Sequence, residues 1–269
     1  MIGVTIAVWP SVSGYSRKSY SWVGGYRGRA IGGLDLDSRL EKIIGKIKDE
    51  SLRKKVAELV ENPSIEIDGK VYTGLPLDTT PAGLSRHHSY PGGLIEHVVG
   101  ATNIALALCD VVEKVYRGKV DRNSVLAGIV LHDIFKPLTY EIVVEGSYRM
   151  TPLAERIDHL TLIVAELVRR GFSLDLTHIV CAHHGGQAGP IWPRTVEALI
   201  CHLADLTDSR LNGDILRAAR YLSREATGEE LERINSKEAF EIVHSKVAEG
   251  WEGVRRTVDE IRRARGDAY

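Results

Sequence analysis

Ten histidines are spread along the sequence, and several stand in small groups near carboxylates: His87-His88, His97, His132-Asp133, His159 and His183-His184, with Asp205 further on. Taken singly, a histidine such as His97, in register with Leu94, Ala101, Ile104 and Leu108 on an apolar helix face, reads as a core residue satisfied by one hydrogen bond. The His132-Asp133 pair changes that reading. In Leu131-His132-Asp133-Ile134 a carboxylate sits inside an apolar helical pattern, and a buried carboxylate without a partner is costly, so it demands a cation. Imidazole combined with carboxylate suits a divalent transition metal (Mn, Fe, Co, Ni or Zn), whereas an all-oxygen shell suits Mg or Ca. Lys136, three residues past Asp133 and on nearly the same face, places an ammonium beside that carboxylate. His87 and His88 on a Pro/Gly-rich loop, and Gln187, Trp192 and Arg194 on the Gly185–Arg194 loop, stand where substrate contacts are made. His202 and Asp208 read as groups that orient ligands rather than as ligands.

These residues must be positioned by helices. Apolar spacing predicts one from about Leu36 to Glu61, stopped by Asn62-Pro63, and another from Gly93 to about Tyr116 carrying His97. A third, capped by Asp121 or Ser124, runs from about Val125 to Phe135 and carries His132-Asp133. Further helices are expected near 155–170, 174–183, 194–211 (opened by Pro193), 214–225 and 236–264, the last begun by an Asn235/Glu238 capping box. Two short alternating runs, Ser64–Thr73 around Asp68-Gly69 and Tyr140–Met150 around Glu145-Gly146, predict β-hairpins. Residues 1–35 hold a β-like run, Val4–Trp9, and an acid-free Gly/Ser/Tyr-rich stretch with Arg17, Lys18, Arg27 and Arg29; they read as an irregular extension.

With 35 basic and 36 acidic residues the formal charge is −1, so no global field draws the chain to nucleic acid or membrane. Cys109, Cys181 and Cys201 lie in apolar patterns without a CxxC pair, which predicts buried reduced thiols and a cytoplasmic protein. Low Met and Cys counts suit heat tolerance. The apolar runs are broken by charge before 18 residues, so no membrane span is expected.

His97, the His132-Asp133 pair and Asp205, on separate helices, resemble the H…HD…D signature of the HD superfamily of phosphohydrolases. The stretch His87-His88-Ser89-Tyr90-Pro91-Gly92-Gly93-Leu94-Ile95-Glu96-His97, with Leu131-His132-Asp133-Ile134-Phe135-Lys136 and Ala182-His183-His184-Gly185, is similar to the bacterial 3′-to-5′ exoribonucleases that join an OB-fold to an HD domain. In that family the pair is usually followed by Ile-Gly-Lys; here Phe135 replaces the small residue and Lys136 is retained. Nothing in residues 1–60 resembles an OB-fold. The resemblance implies an all-α HD-domain helical bundle with two small β-hairpins, organised as an extension (1–35), an HD domain (36–212) and C-terminal helices packed on it (213–269). It also implies two divalent ions, with Asp133 bridging, His97, His132 and Asp205 on one, and His159, His183 and His184 on the other. Asp133 and Lys136 are then the catalytic pair, and a metal-held hydroxide attacks the phosphorus of a nucleotide or similar small phosphomonoester or phosphodiester. A 3′-5′ exoribonuclease, a di-iron HD-type oxygenase and a non-catalytic metal-dependent binding module are the alternatives.

Overall fold

This computed structural model describes residues 37–144 and 146–266. The expected Val4–Trp9 strand and the basic stretch after it lie outside the described residues. The chain runs through α1 (Ser38–Ile44), α2 (Glu50–Glu61), the hairpin β1 (Ser64–Ile67) and β2 (Lys70–Thr73), α3 (Gly93–Asp110), α4 (Arg122–Leu131) and α5 (Lys136–Thr139). A second hairpin, β3 (Tyr140–Val144) and β4 (Ser147–Met150), precedes α6 (His159–Arg169), α7 (Leu174–Cys181), α8 (Gly185–Ala188), α9 (Val196–Thr227) and α10 (Ser236–Arg265). Both hairpins form as predicted, the first through Asp68 and Gly69 with φ of 52° and 71°, the left-handed pair that a two-residue turn requires.

Several expected boundaries move, each for a local reason. The single helix expected over 36–61 is two: Asn123 Oδ1 accepts the Lys48 amide at 2.7 Å, and Asp49 then caps α2 by accepting from the Leu52 amide. Asp121, not Ser124, caps α4. That helix stops at Leu131, so His132 and Asp133 stand in the turn after it rather than inside a helix. Pro137, second residue of α5, has no N–H to return to Asp133, so the ladder cannot continue. The helix expected from 155 starts at His159, because Asp158 caps it from Thr161 at 2.7 Å. Thr195 rather than Pro193 opens α9.

The largest departure is α9 itself, continuous over 32 residues where Asn212-Gly213 was read as a break. Asn212 is held inside the protein by hydrogen bonds, and a Cβ at Gly213 would lie 2.9 Å from the Arg86 carbonyl, so both serve packing instead of a turn. The N-terminal half of α9 joins the main core with Ala198, Cys201 and Ala204; its C-terminal half, with Leu216 and Ala219, joins a second cluster with α10. The expected division at 212–213 therefore falls within a helix. Continued by the wider turn Val111–Val115, α3 is long and apolar enough to cross a membrane, contrary to the expectation of no such segment. It packs instead against α4 and α9, and it carries the buried His97.

Candidate metal centre

His97 from α3, His132-Asp133 from the turn after α4, His159 at the start of α6, His183-His184 from the turn after α7, and Asp205 from α9 meet in one place. His97 Nε2 lies 3.1 Å from His132 Nε2, 3.2 Å from Asp205 Oδ1 and 3.5 Å from Asp133 Oδ2. Donor atoms that share an ion at about 2.0–2.2 Å stand roughly 3–3.5 Å apart, so this is the spacing of one coordination shell. On the other side of the same carboxylate, Asp133 Oδ1 lies 3.1 Å from His159 Nε2 and 3.8 Å from His183 Nε2, and His184 completes that group.

Outer hydrogen bonds fix which nitrogens face inward. His132 Nδ1 donates to the Ile129 carbonyl at 2.7 Å, His183 Nδ1 to the Val180 carbonyl at 2.6 Å, and His97 Nδ1 to Asp208 Oδ2 at 2.7 Å. With both Nδ1 atoms spent, the Nε2 atoms of His97 and His132 face each other at 3.1 Å, as two ligands of one cation would. Burial pulls the His97 pKa down, but the bonds from Asp205 and Asp208 hold it up at about 9. Among the described residues, four buried polar side-chain atoms make no hydrogen bond: His87 Nε2, Asp133 Oδ1, His159 Nε2 and His183 Nε2. Three of those four converge at the second group. Orphaned polar atoms of this kind cost free energy unless something fills the gap, and their chemistry, imidazole with carboxylate, fits a divalent transition ion.

Charge is arranged in the same sense. Burial alone would raise Asp133, yet Lys136 and His132 hold it well below the usual carboxylate range; Asp205 is held low by His97 despite its burial. Burial, with His132 and His184 nearby, pushes His183 well below its ordinary value, and His184 is lowered mainly by burial. Lys136, buried at 6% exposure, contacts Asp133 Oδ2 directly. The site thus presents ionised carboxylates, the imidazoles of His183 and His184 held toward the neutral form, and one buried ammonium.

The HD domain family model matches residues 94–210, a span that holds every residue of both groups. A dihydroneopterin 2′,3′-cyclic phosphate phosphodiesterase of Methanocaldococcus jannaschii is 40% identical over 212 residues, 79% of this chain and 84% of that protein. The chain belongs to the HD family of metal-dependent phosphohydrolases. The 3′-5′ exoribonuclease YhaM of Bacillus subtilis is 31% identical over 164 residues, which is 57% of this HD protein and 49% of that enzyme. Its Oceanobacillus iheyensis counterpart is 30% identical over 204 residues, 70% of this chain and 61% of that enzyme. No solved structure matches.

Not all residues expected at the HD site behave alike. His87 is at the centre: its ring lies 5.4 Å from that of His97, and burial, reinforced by Lys136 and His97, lowers its pKa to about 3, leaving a neutral ring with a free Nε2. His88, expected to contact substrate, has no nitrogen to offer. Its Nδ1 meets the Tyr90 hydroxyl and its Nε2 meets Asp208 Oδ2, both at 2.8 Å, so it braces Asp208 instead. Gln187 and Arg194 are exposed and neither side chain is brought to the groups; Arg194 is held by its backbone amide, which donates to His178 Nε2. Trp192 closes the loop against Gly186, where a Cβ would sit 2.2 Å from the indole nitrogen. Asp208 and His202 stand next to candidate ligands, Asp208 Oδ2 accepting from His97 Nδ1 and His202 Nδ1 donating to the His183 carbonyl at 2.6 Å.

The structure adds residues that sequence reasoning passed over. Tyr90 Oη lies 2.5 Å from Ser236 Oγ at the start of α10 and 3.1 Å from Glu96, and Asn212 accepts from the His88 amide while donating to Ser236. A buried chain of hydrogen bonds therefore runs from α10 through Tyr90, His88 and Asp208 to His97. Gly100 makes it possible, since a Cβ there would lie 2.1 Å from Asp208 Oδ1. Tyr140, read only as a strand start, lies within electrostatic reach of Lys136 and Asp133. Tyr90 was in view inside the quoted His-Ser-Tyr-Pro stretch, but only the fold brings Ser236 to it.

Proposed function

We propose that this chain is a two-metal phosphodiesterase that opens the phosphate ring of a small nucleotide-like cyclic phosphate, with dihydroneopterin 2′,3′-cyclic phosphate, the substrate named for the M. jannaschii relative, as first candidate. The observation that carries the reading is Asp133, whose two oxygens address two separate histidine groups. On this reading Asp133 Oδ2, His97, His132 and Asp205 hold one ion, and Asp133 Oδ1, His159, His183 and His184 the other, with Mn or Fe the favoured metals. Bound there, the ions supply an acidified water as nucleophile and screen charge on the phosphoryl oxygens.

The chain's own groups supply the rest. Lys136, already neutralising Asp133, presents a buried ammonium whose field strengthens as water is excluded and negative charge grows on phosphorus. His87 offers the free Nε2 of a neutral ring to a substrate oxygen. The backbone carbonyls of Ile129 and Val180 hold the two ligand rings in one tautomer, so no reorganisation is needed during turnover. Water's oxygen joins phosphorus, the ring P–O bond breaks, and the released ribose-type oxygen takes up a proton. We read residues 36–212 as the catalytic domain and 213–269 as helices that brace it, and place the protein, with its free thiols, in a reducing cytoplasm.

The test is turnover of a substrate panel by protein reconstituted with Mn(II) or Fe(II) without oxygen. Expected is hydrolysis of 2′,3′-cyclic phosphates faster than a 20-mer RNA, since net charge −1 supplies no field for a long strand. Processive shortening of the RNA at the higher rate overturns this reading in favour of the exoribonuclease activity for which the YhaM relatives are named. Activity only with oxygen, on a C–H bond, points to the oxygenase.

A further inference from the structure

Beside the second histidine group a groove of about 520 Å³ opens along α6. His184 belongs to both: it is one of the four groups gathered around Asp133 Oδ1, and it forms one end of the groove. Anything held by phosphate at the metal centre therefore has this groove within one side chain's reach. Much of the lining is aliphatic, with Leu160, Val164 and Ala165 from α6 together with Cys181, Ala188 and Pro190. An aliphatic lining suits the face of a planar ring, and the volume lies in the range of small-molecule sites.

Two features narrow the occupant. Among the described residues no Lys or Arg lines the groove, so its lining does not fit a second phosphate or a nucleic-acid backbone. One carboxylate does line it, that of Asp158. Asp158 is exposed, and its Oδ1 caps α6 by accepting from the Thr161 amide at 2.7 Å. A carboxylate placed at the end of an apolar slot pairs with adjacent N–H donors on a ring edge. An amino-pyrimidinone edge, a ring N–H beside an exocyclic amine as in guanine and pterins, has that pattern.

We propose that this groove is the ring subsite of the enzyme, taking the planar amino-pyrimidinone ring of the substrate between α6 and Pro190 while Asp158 reads its donor edge. The proposal rests on the phosphodiesterase reading for the position of the phosphate, but not for the groove's own ligand.

Two measurements test it separately. In the first, holoenzyme variants Val164→Trp, which fills the slot, and Asp158→Asn, which keeps a side-chain cap for α6, are assayed with guanosine 2′,3′-cyclic phosphate and with glycerol 1,2-cyclic phosphate, which carries no planar base. The preference, the ratio of the two kcat/KM values, falls about tenfold or more in each variant. In the second, alkylation of Cys181 by iodoacetamide, read by peptide mass against buried Cys109 and Cys201, is slowed by guanosine alone in wild-type holoenzyme and not in Val164→Trp. An unchanged preference in both variants, or guanosine that leaves Cys181 labelling unchanged, overturns the ring subsite. Failure to hydrolyse any cyclic phosphate, with Cys181 still protected by guanosine, overturns the phosphodiesterase reading and leaves the subsite standing.

Discussion

Asp133 and Lys136 touch each other, yet their substitution should separate metal binding from turnover. Asp133 supplies an oxygen to each histidine group, so Asp133→Ala is expected to lose both ions and all hydrolysis. Lys136→Met removes only an ammonium from a site whose other groups remain. Its metal content should stay near that of wild type while kcat falls by roughly 10²–10³, the loss typical of one preorganised charge-stabilising group. Inductively coupled plasma mass spectrometry beside steady-state kinetics checks both, and a Lys136→Met protein altered in KM alone would remove the transition-state role. A second buried carboxylate, Glu166 on α6, serves stability. It is paired with Arg169 at 2.5 Å and Arg170 at 2.6 Å, and although its burial opposes ionisation, those bonds hold its pKa below the ordinary value. A depressed carboxylate pKa stabilises the fold above the unfolded value and loses that contribution as pH falls through the folded one. Glu166→Gln is expected to cost about 1–2 kcal/mol at pH 7, since both guanidinium groups partly face water, with the deficit closing toward pH 3. Thermal melts across pH read this directly, and a deficit that persists at low pH would assign the effect to packing.

At the scale of elements, the ligands come from turns and helix starts as much as from helix faces, and that governed how much the sequence could say. His97 was legible because it repeats with the apolar positions of α3. His132 and Asp133 were legible as a pair, but their place in a turn was not, because Pro137 acts by withholding a hydrogen bond that periodicity does not register. The continuity of α9 was hidden by Asn212-Gly213, residues whose local preference is a turn and whose tertiary contacts overrule it. The role of α10 was not legible at all, since it depends on Ser236 meeting Tyr90. That contact carries a prediction. Ser236→Ala and Tyr90→Phe leave the ligands intact but loosen His88 and Asp208 behind His97, so metal affinity should fall about tenfold, as losses of outer hydrogen bonds to ligands do. Titration of Mn(II) by electron paramagnetic resonance measures it; unchanged affinity in both variants would reduce α10 to a packing element. A double-mutant cycle between Tyr90→Phe and Asp208→Asn should be non-additive if they act through one chain.

At the scale of the whole molecule, α9 ties the two halves together, contributing Ala204 and the candidate ligand Asp205 to the main core and Leu216 and Ala219 to the cluster with α10. The start of α10 meets the hydrogen-bond chain to His97 through Ser236 and Tyr90, while His184 of the second histidine group lines the groove. The near-neutral charge, and a groove that no Lys or Arg lines among the described residues, agree with a compact substrate held by phosphate and ring rather than a polymer tracked along its backbone. The claim on which the rest depends is that Asp133 joins two metal sites. Elemental analysis of protein saturated with Mn(II) or Fe(II) without oxygen, then freed of loosely held ions, tests it most directly. Close to two ions per chain for wild type, falling to about one in a His159→Ala/His184→Ala variant, is the result the two-site geometry predicts; one ion or none per wild-type chain under saturating conditions would contradict it.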